Sequence, residues 1–221
     1  MSIKYKFAII FITPLILIAV FGFHLLNLND EILSKRKRVL FSYDQAVLLS
    51  DLKLSMQRVT NEIVQIKLLG ANDEEYIYHK EKSFMTLKKL VKKTQEEIAF
   101  VQGAEEEEEE EEEVLKSIKY LDVEIKDLFE QLEFYIKKEN LSDQAVEDMF
   151  EQLIEESFET KLIGQIDAII NDEKKELLDI EEEQSLLASQ VKNSTLSIFG
   201  AMFLFSFVAL IFLIQKLVKP V

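Results

Sequence analysis

The chain has 221 residues, of which 48% are hydrophobic and 30% charged, with a formal net charge of −15, five Gly, two Pro and no Cys. The missing Cys exclude disulfide frameworks, thiolate metal centres and cysteine nucleophiles. The acidity argues against a nucleic-acid partner, because a phosphate backbone asks for a basic face. So few Gly and Pro leave few turns and therefore long elements.

Residues 1–6 carry Lys4 and Lys6 and are expected to be cytoplasmic. Residues 7–29 then hold no formal charge, a run of 23 positions. At ~1.5 Å per residue such a helix crosses a ~30 Å hydrocarbon core. A cleaved signal peptide is the competing reading. The run exceeds a usual h-region and no small-x-small cleavage site follows it, so an uncleaved first membrane helix is expected. Pro14 sits inside it, which neighbouring helices tolerate in lipid, and His24 is read as an interfacial polar side chain near its outer end.

Residues 30–192 read as helix almost throughout. Leu49, Leu52, Met56, Val59, Ile63, Ile66 and Gly70 recur in alternating steps of three and four, a coiled-coil seam. Gly70 marks the first stop. A second seam is read in Phe84, Leu87, Val91, Thr94, Ile98 and Val101, ending at Gln102 and Gly103. A third runs through Val114, Ile118, Leu121, Ile125, Leu128, Leu132 and Tyr135. Residues 137–141 connect to a fourth helix, with Ser142 as its N-cap. That helix opens raggedly (Val146, Met149, Phe150, Leu153, Ile154, Phe158). It then settles into Ile163, Ile166, Ile170, Glu173, Leu177, Ile180, Gln184, Leu187 and Val191, with a stutter or kink expected near residues 156–163.

Residues 193–215 are again free of charge, a second membrane helix, followed by Lys216 and Lys219 on a cytoplasmic exit. Both termini are then cytoplasmic, with residues 30–192 outside. The basic run Lys35, Arg36, Lys37 and Arg38 would prefer the inside, but the positive-inside rule is weak for so long a loop.

The expected fold is all-α. Two transmembrane helices flank an extracytoplasmic antiparallel four-helix bundle whose first and fourth helices (about 28–70 and 143–193) are long and continuous. The second and third (74–101 and 114–139) form a shorter hairpin on them. Glu173 and Gln184 on the apolar fourth seam point to a partner subunit, hence a homodimer.

Chemistry-bearing patterns are sparse. Residues 105–113 are nine consecutive Glu, read as a solvated connector or frayed helix start, with a loose cation or polyamine site as the sharper alternative. The run lacks EF-hand spacing. Arg58 lies away from the basic run, beside Thr60, Asn61 and Gln65. Arg binds carboxylates bidentately and the hydroxyl and amides could complete a small-molecule site, against the plainer reading of a flanking residue paired to a glutamate. The basic run reads as lipid-headgroup attraction or helix solvation, and His79 as a solvated side chain. Ser197 and Ala201 make one small-xxx-small pair in the second span. No phosphate loop, nucleophile elbow or HExxH run occurs, so no enzyme, cofactor or metal site is expected.

Two spans, a long helical outer domain and the exit Lys219-Pro220-Val221 together resemble the input half of bacterial transmembrane receptors. These are sensor histidine kinases and methyl-accepting chemotaxis receptors with four-helix sensor domains. In that family a HAMP linker follows the second span, often opening with a basic residue, Pro and an aliphatic. The resemblance implies that residues 216–221 begin such a linker and that Lys219 and Pro220 pass on the signal. It also implies an inner-membrane location, an unidentified small-molecule or periplasmic-protein stimulus, and an output domain beyond residue 221. His79 is followed by Lys80, so the phospho-acceptor pattern is not met. The alternative is a two-pass coiled-coil scaffold without a ligand.

Overall fold

A computed structural model describes residues 3–70, 72–137 and 143–217. The elements are α1 (Ile3–Leu69), α2 (Glu74–Val101), α3 (Glu105–Lys137), α4 (Asp143–Asp148), a π-helical run (Met149–Ile163) and α5 (Gly164–Leu217). No strand occurs among the described residues, so the all-α expectation holds. Ser142, the connector at 138–141, and Lys219 and Pro220 lie outside the described residues.

The first turns form where glycine permits them. Gly70 (φ 65°) closes α1 and Gly103 (φ 98°) follows α2, both in the left-handed region that a Cβ disfavours. The Gly70 N–H returns to the Ile66 carbonyl at 3.2 Å. Gly103 N–H donates to Glu108 Oε2 at 3.1 Å, tying the turn to the first part of α3.

Two compact units divide the chain: Arg38–Leu178, and Met1–Lys37 together with Asp179–Val221. In the first, the α1 seam is fully buried from Leu49 through Leu52, Met56 and Val59 to Ile63. It shares one core with Leu87, Leu90, Ile118, Leu121, Ile125, Leu132, Phe158 and Ile166. Phe129 sits inside this core, edge-on to Tyr76 (centroids 6.5 Å apart) and tilted against Phe84 (5.2 Å). Polar pairs fix the register between helices. Ser55 Oγ meets Ser83 Oγ at 2.9 Å between α1 and α2. Lys53 Nζ bridges to Asp167 Oδ1 at 2.6 Å between α1 and α5, and Lys161 to Glu124 Oε2 at 2.6 Å between the π-helical run and α3.

Two expected seams are corrected. In α2 the buried line is Ser83, Leu87, Leu90, Thr94, Glu97 and Val101, while Phe84, Val91 and Ile98 only flank it. An apolar pattern alone misses this line, because half of it is polar. The ragged opening of the fourth helix is a π-helix with i→i+5 bonding. Its wider turn puts Met149, Leu153, Ile154, Phe158 and Leu162 all in buried positions. Ser157 and Thr160 hydroxyls donate back to the carbonyls of Gln152 and Glu155, five residues earlier, at 2.8 Å each.

In the second unit, stretches of α1 and α5 are apolar on their outside. Phe199, Phe203, Leu204, Phe207 and Val208 of α5 and Leu15, Ile16, Val20, Phe23 and Leu26 of α1 are exposed. Two helices, α1 and α5, are thus long and apolar enough to cross a membrane. An apolar exterior of this kind suits lipid rather than water. Lys35 pairs with Glu183 within this unit.

Candidate functional site

Charged residues from the basic run, the nine-Glu run, the fourth seam and α2 come together inside the unit Arg38–Leu178. Spacings of three and four put the contributing side chains on one face of each helix. Arg38, Ser42 and Gln45 come from α1, Thr94 and Glu97 from α2, Glu107 and Glu111 from α3, and Glu173 and Glu176 from α5. Arg38 Nη1 reaches Glu107 Oε1 and Nη2 reaches Glu176 Oε1, both at 2.6 Å. Ser42 Oγ lies 3.3 Å from Glu176 Oε2 and from its own helix's Arg38 carbonyl, donating to one at a time. Gln45 Nε2 donates to Glu97 Oε2 at 2.5 Å, and its carbonyl accepts from the Thr94 hydroxyl at 2.7 Å. One carboxylate oxygen from each of Glu97, Glu111 and Glu176 lies within 4.8 Å of the others.

Burial is severe here. Glu97 is 0% exposed, and Glu111 and Glu173 are 2% exposed. Among the described residues, Glu97 Oε1, Glu111 Oε2 and Glu173 Oε2 have no hydrogen-bond partner. Desolvation pushes the Glu97 carboxyl up to about 9, helped by the neighbouring charges of Glu111 and Glu176, against the Gln45 hydrogen bond and Arg38, which pull it down. Glu173 rises to about 9, again through burial first and then Glu111, Glu176 and Glu97. Glu111 rises to about 7, since burial and Glu176 outweigh Arg38.

These shifts make stability depend on pH. Both Glu97 and Glu173 hold their proton more tightly when folded than at the ordinary value of 4.5. Between that value and about 9 the folded chain therefore binds more protons, and stability falls as pH rises. In chelator-treated protein the melting temperature should be highest near pH 5 and decline towards pH 9, with a slope of at most about 1.4 kcal/mol per pH unit for each proton so held. Glu97→Gln with Glu173→Gln should flatten the decline. A profile rising through this window would overturn the assignment.

Comparison with family models, with curated proteins and with solved structures gives no match.

Four expectations change with the structure. Of the two readings of the nine Glu, the helix start holds and the solvated connector does not: α3 begins at Glu105, Glu111 is buried and Glu107 holds Arg38. Anions suit a helix N-terminus, and the exposed members of the run keep their solvation. Arg38 leaves the basic run to form the buried pairs above. His79 is buried, not solvated, with Nε2 3.6 Å from Glu75 and its ring edge-on to Tyr78. Glu173, read from sequence as the mark of a partner subunit, is buried by the chain itself.

The residues assigned from sequence to ligand binding are only partly gathered. Thr60 and Asn61 line a surface hollow of about 420 Å³ with Gln57, Phe158, Glu159 and Ile163. Arg58 and Gln65 are exposed and do not line it. The Thr60 hydroxyl donates to the Gln57 carbonyl at 2.9 Å. The sequence does carry a signal for the buried acids. Glu111 lies one and two heptads before Ile118 and Ile125, and Glu97 one heptad after Leu90. All three apolar residues are fully buried.

Proposed function

We propose that this chain is the input module of a transmembrane signal receptor. It would sense an extracytoplasmic stimulus and pass a helix displacement to an output domain of the HAMP and histidine-kinase or chemotaxis type. One observation carries the reading: α1 and α5 are unbroken helices, each with an apolar stretch long enough to span a membrane and a segment packed in the core of Arg38–Leu178. A change of packing in that core then has a continuous rod along which to travel. The shared core, the glycine turns and the inter-helix ion pairs support an antiparallel four-helix bundle between the two spans. The charge-free stretches support spans near 7–29 and 193–215, with both termini on the cytoplasmic side. We place the module in a bacterial inner membrane, as a homodimer contacting lipid, with Lys219 and Pro220 at the exit. The stimulus is a small molecule or a periplasmic protein, and catalysis belongs to the output domain.

Interface helices in such devices shift by about 1–2 Å. A stimulus shifts populations only by its differential affinity, about 5.5 kcal/mol for a move from 1:99 to 99:1. The test is an in-frame fusion to a kinase output domain with a flexible Gly-Ser segment inserted after Val191. Output should become insensitive to stimulus while expression and membrane insertion persist. Unchanged signalling would sink the reading and favour the scaffold.

A further inference from the structure

We propose that Glu97, Glu111 and Glu176 form a binding site for a hard divalent cation, Ca²⁺ before others, with Glu173 as an adjoining fourth carboxylate. The geometry comes first. Three carboxylate oxygens from three different helices lie within 4.8 Å of one another, a spacing that one ion bridging all three at ~2.3–2.6 Å accommodates. The second observation is independent of that convergence. Glu97 Oε1 and Glu111 Oε2 are fully shielded from solvent and hydrogen-bonded to nothing among the described residues, and so is Glu173 Oε2. Buried polar oxygens normally find a donor, and an unsatisfied set of this kind asks for a counter-charge.

The charge balance points the same way. Glu97, Glu111, Glu173 and Glu176 offer four carboxylates. Among the described residues Arg38 is the cationic side chain paired here, and it is shared with Glu107. Either protons or a cation must supply the rest. The donor set is all oxygen, without Cys or His, which selects Ca²⁺, Mg²⁺ or Mn²⁺ over softer metals. Mg²⁺ keeps several of its waters, whereas Ca²⁺ accepts many protein oxygens in flexible geometry. Burial of Glu97 and Glu111 leaves little space for retained water and so favours Ca²⁺. Gln45, held by Thr94 and bonded to Glu97, orients that carboxylate. The site lies wholly within Arg38–Leu178 and does not depend on the receptor reading.

The experiment uses the full chain in detergent micelles, stripped with chelator and titrated with Ca²⁺, Mg²⁺ or Mn²⁺ at pH 8. Ca²⁺ at 100 times its Kd should raise the melting temperature by about 5–10 °C, with one ion bound per chain by calorimetry and protons released on binding. Glu97→Gln with Glu111→Gln should abolish both the shift and the binding heat. Gln at the exposed positions Glu109, Glu110, Glu112 and Glu113 should leave both intact. No shift and no one-to-one heat in the wild type would show that the site is met by protons alone and overturn the proposal. A shift lost instead with the four exposed glutamates would overturn it too, as nonspecific attraction to the acidic run. If the double variant does not fold, the wild-type stoichiometry and the exposed-glutamate variant still decide.

Discussion

Replacing Arg38 by Met is expected to destabilise the chain by about 3 kcal/mol, lowering the melting temperature by about 6–12 °C in chelator-treated protein at pH 8. Its guanidinium is buried between Glu107 and Glu176, and burial alone would lower its pKa; the two carboxylates and Glu111 outweigh that and raise it. Met keeps the stem's apolar contacts but removes the charge. Glu176 is then left facing Glu97 and Glu111 with the Ser42 hydroxyl as its remaining donor among the described residues. The low end of the range for broken buried pairs applies because Glu107 and Glu176 keep part of their solvation. Lys in place of Arg should recover only part of the loss, since one ammonium cannot repeat two divergent N–H contacts. Adding Glu176→Gln to Arg38→Met should restore more than it changes alone, a coupling that a double-mutant cycle reads directly. Additive effects would mean that the pair does not hold the site together.

How much of the fold and of the acidic cluster is legible in the sequence depends on what each residue declares. The α1 seam from Leu49 to Ile63 is readable because every seam position is apolar, so period and burial coincide. Gly70 and Gly103 are readable as stops because few other residues fit a positive φ. The acidic cluster is hidden for the opposite reason. Glu97 and Glu111 occupy heptad positions, but a carboxylate on a seam looks like noise until three helices bring several of them to one place. The nine-Glu run conceals Glu111 further, since composition cannot tell it from exposed neighbours of the same type. The two kinds of arginine are told apart only by helical geometry. Arg58, set apart by its rarity, lies exposed on α1, while Arg38, hidden in a basic tetrad, turns inward. The fourth helix is legible as an anomaly but not as a π-helix, because hydrophobic spacing registers a lost period without saying which bonding replaces it.

Phe158→Ala should cost about 3–5 kcal/mol, and its size tests the π-helical register itself. In an α-helix each residue turns by about 100°, so Phe158, nine positions after Met149, would point about 180° away from it. Leu162 would be similarly misdirected. In the structure Met149 is 0%, Phe158 1% and Leu162 2% exposed, all in the same core. Only the wider turn of i→i+5 bonding aligns them. An α-helical register would leave the Phe158 ring on the surface, and Ala there would cost less than about 0.5 kcal/mol. Phe150, half-buried in the same run, is the internal control and should lose much less than Phe158. Deleting one residue between Met149 and Phe158 should separate the two outcomes further. Tightening the run would rotate Phe158 out of a core that Leu153, Phe129 and Met56 also fill, and the melting temperature should fall by at least as much as for Phe158→Ala. A deletion that instead raised stability would mean that the π-helical bonding is strain that the apolar contacts do not offset.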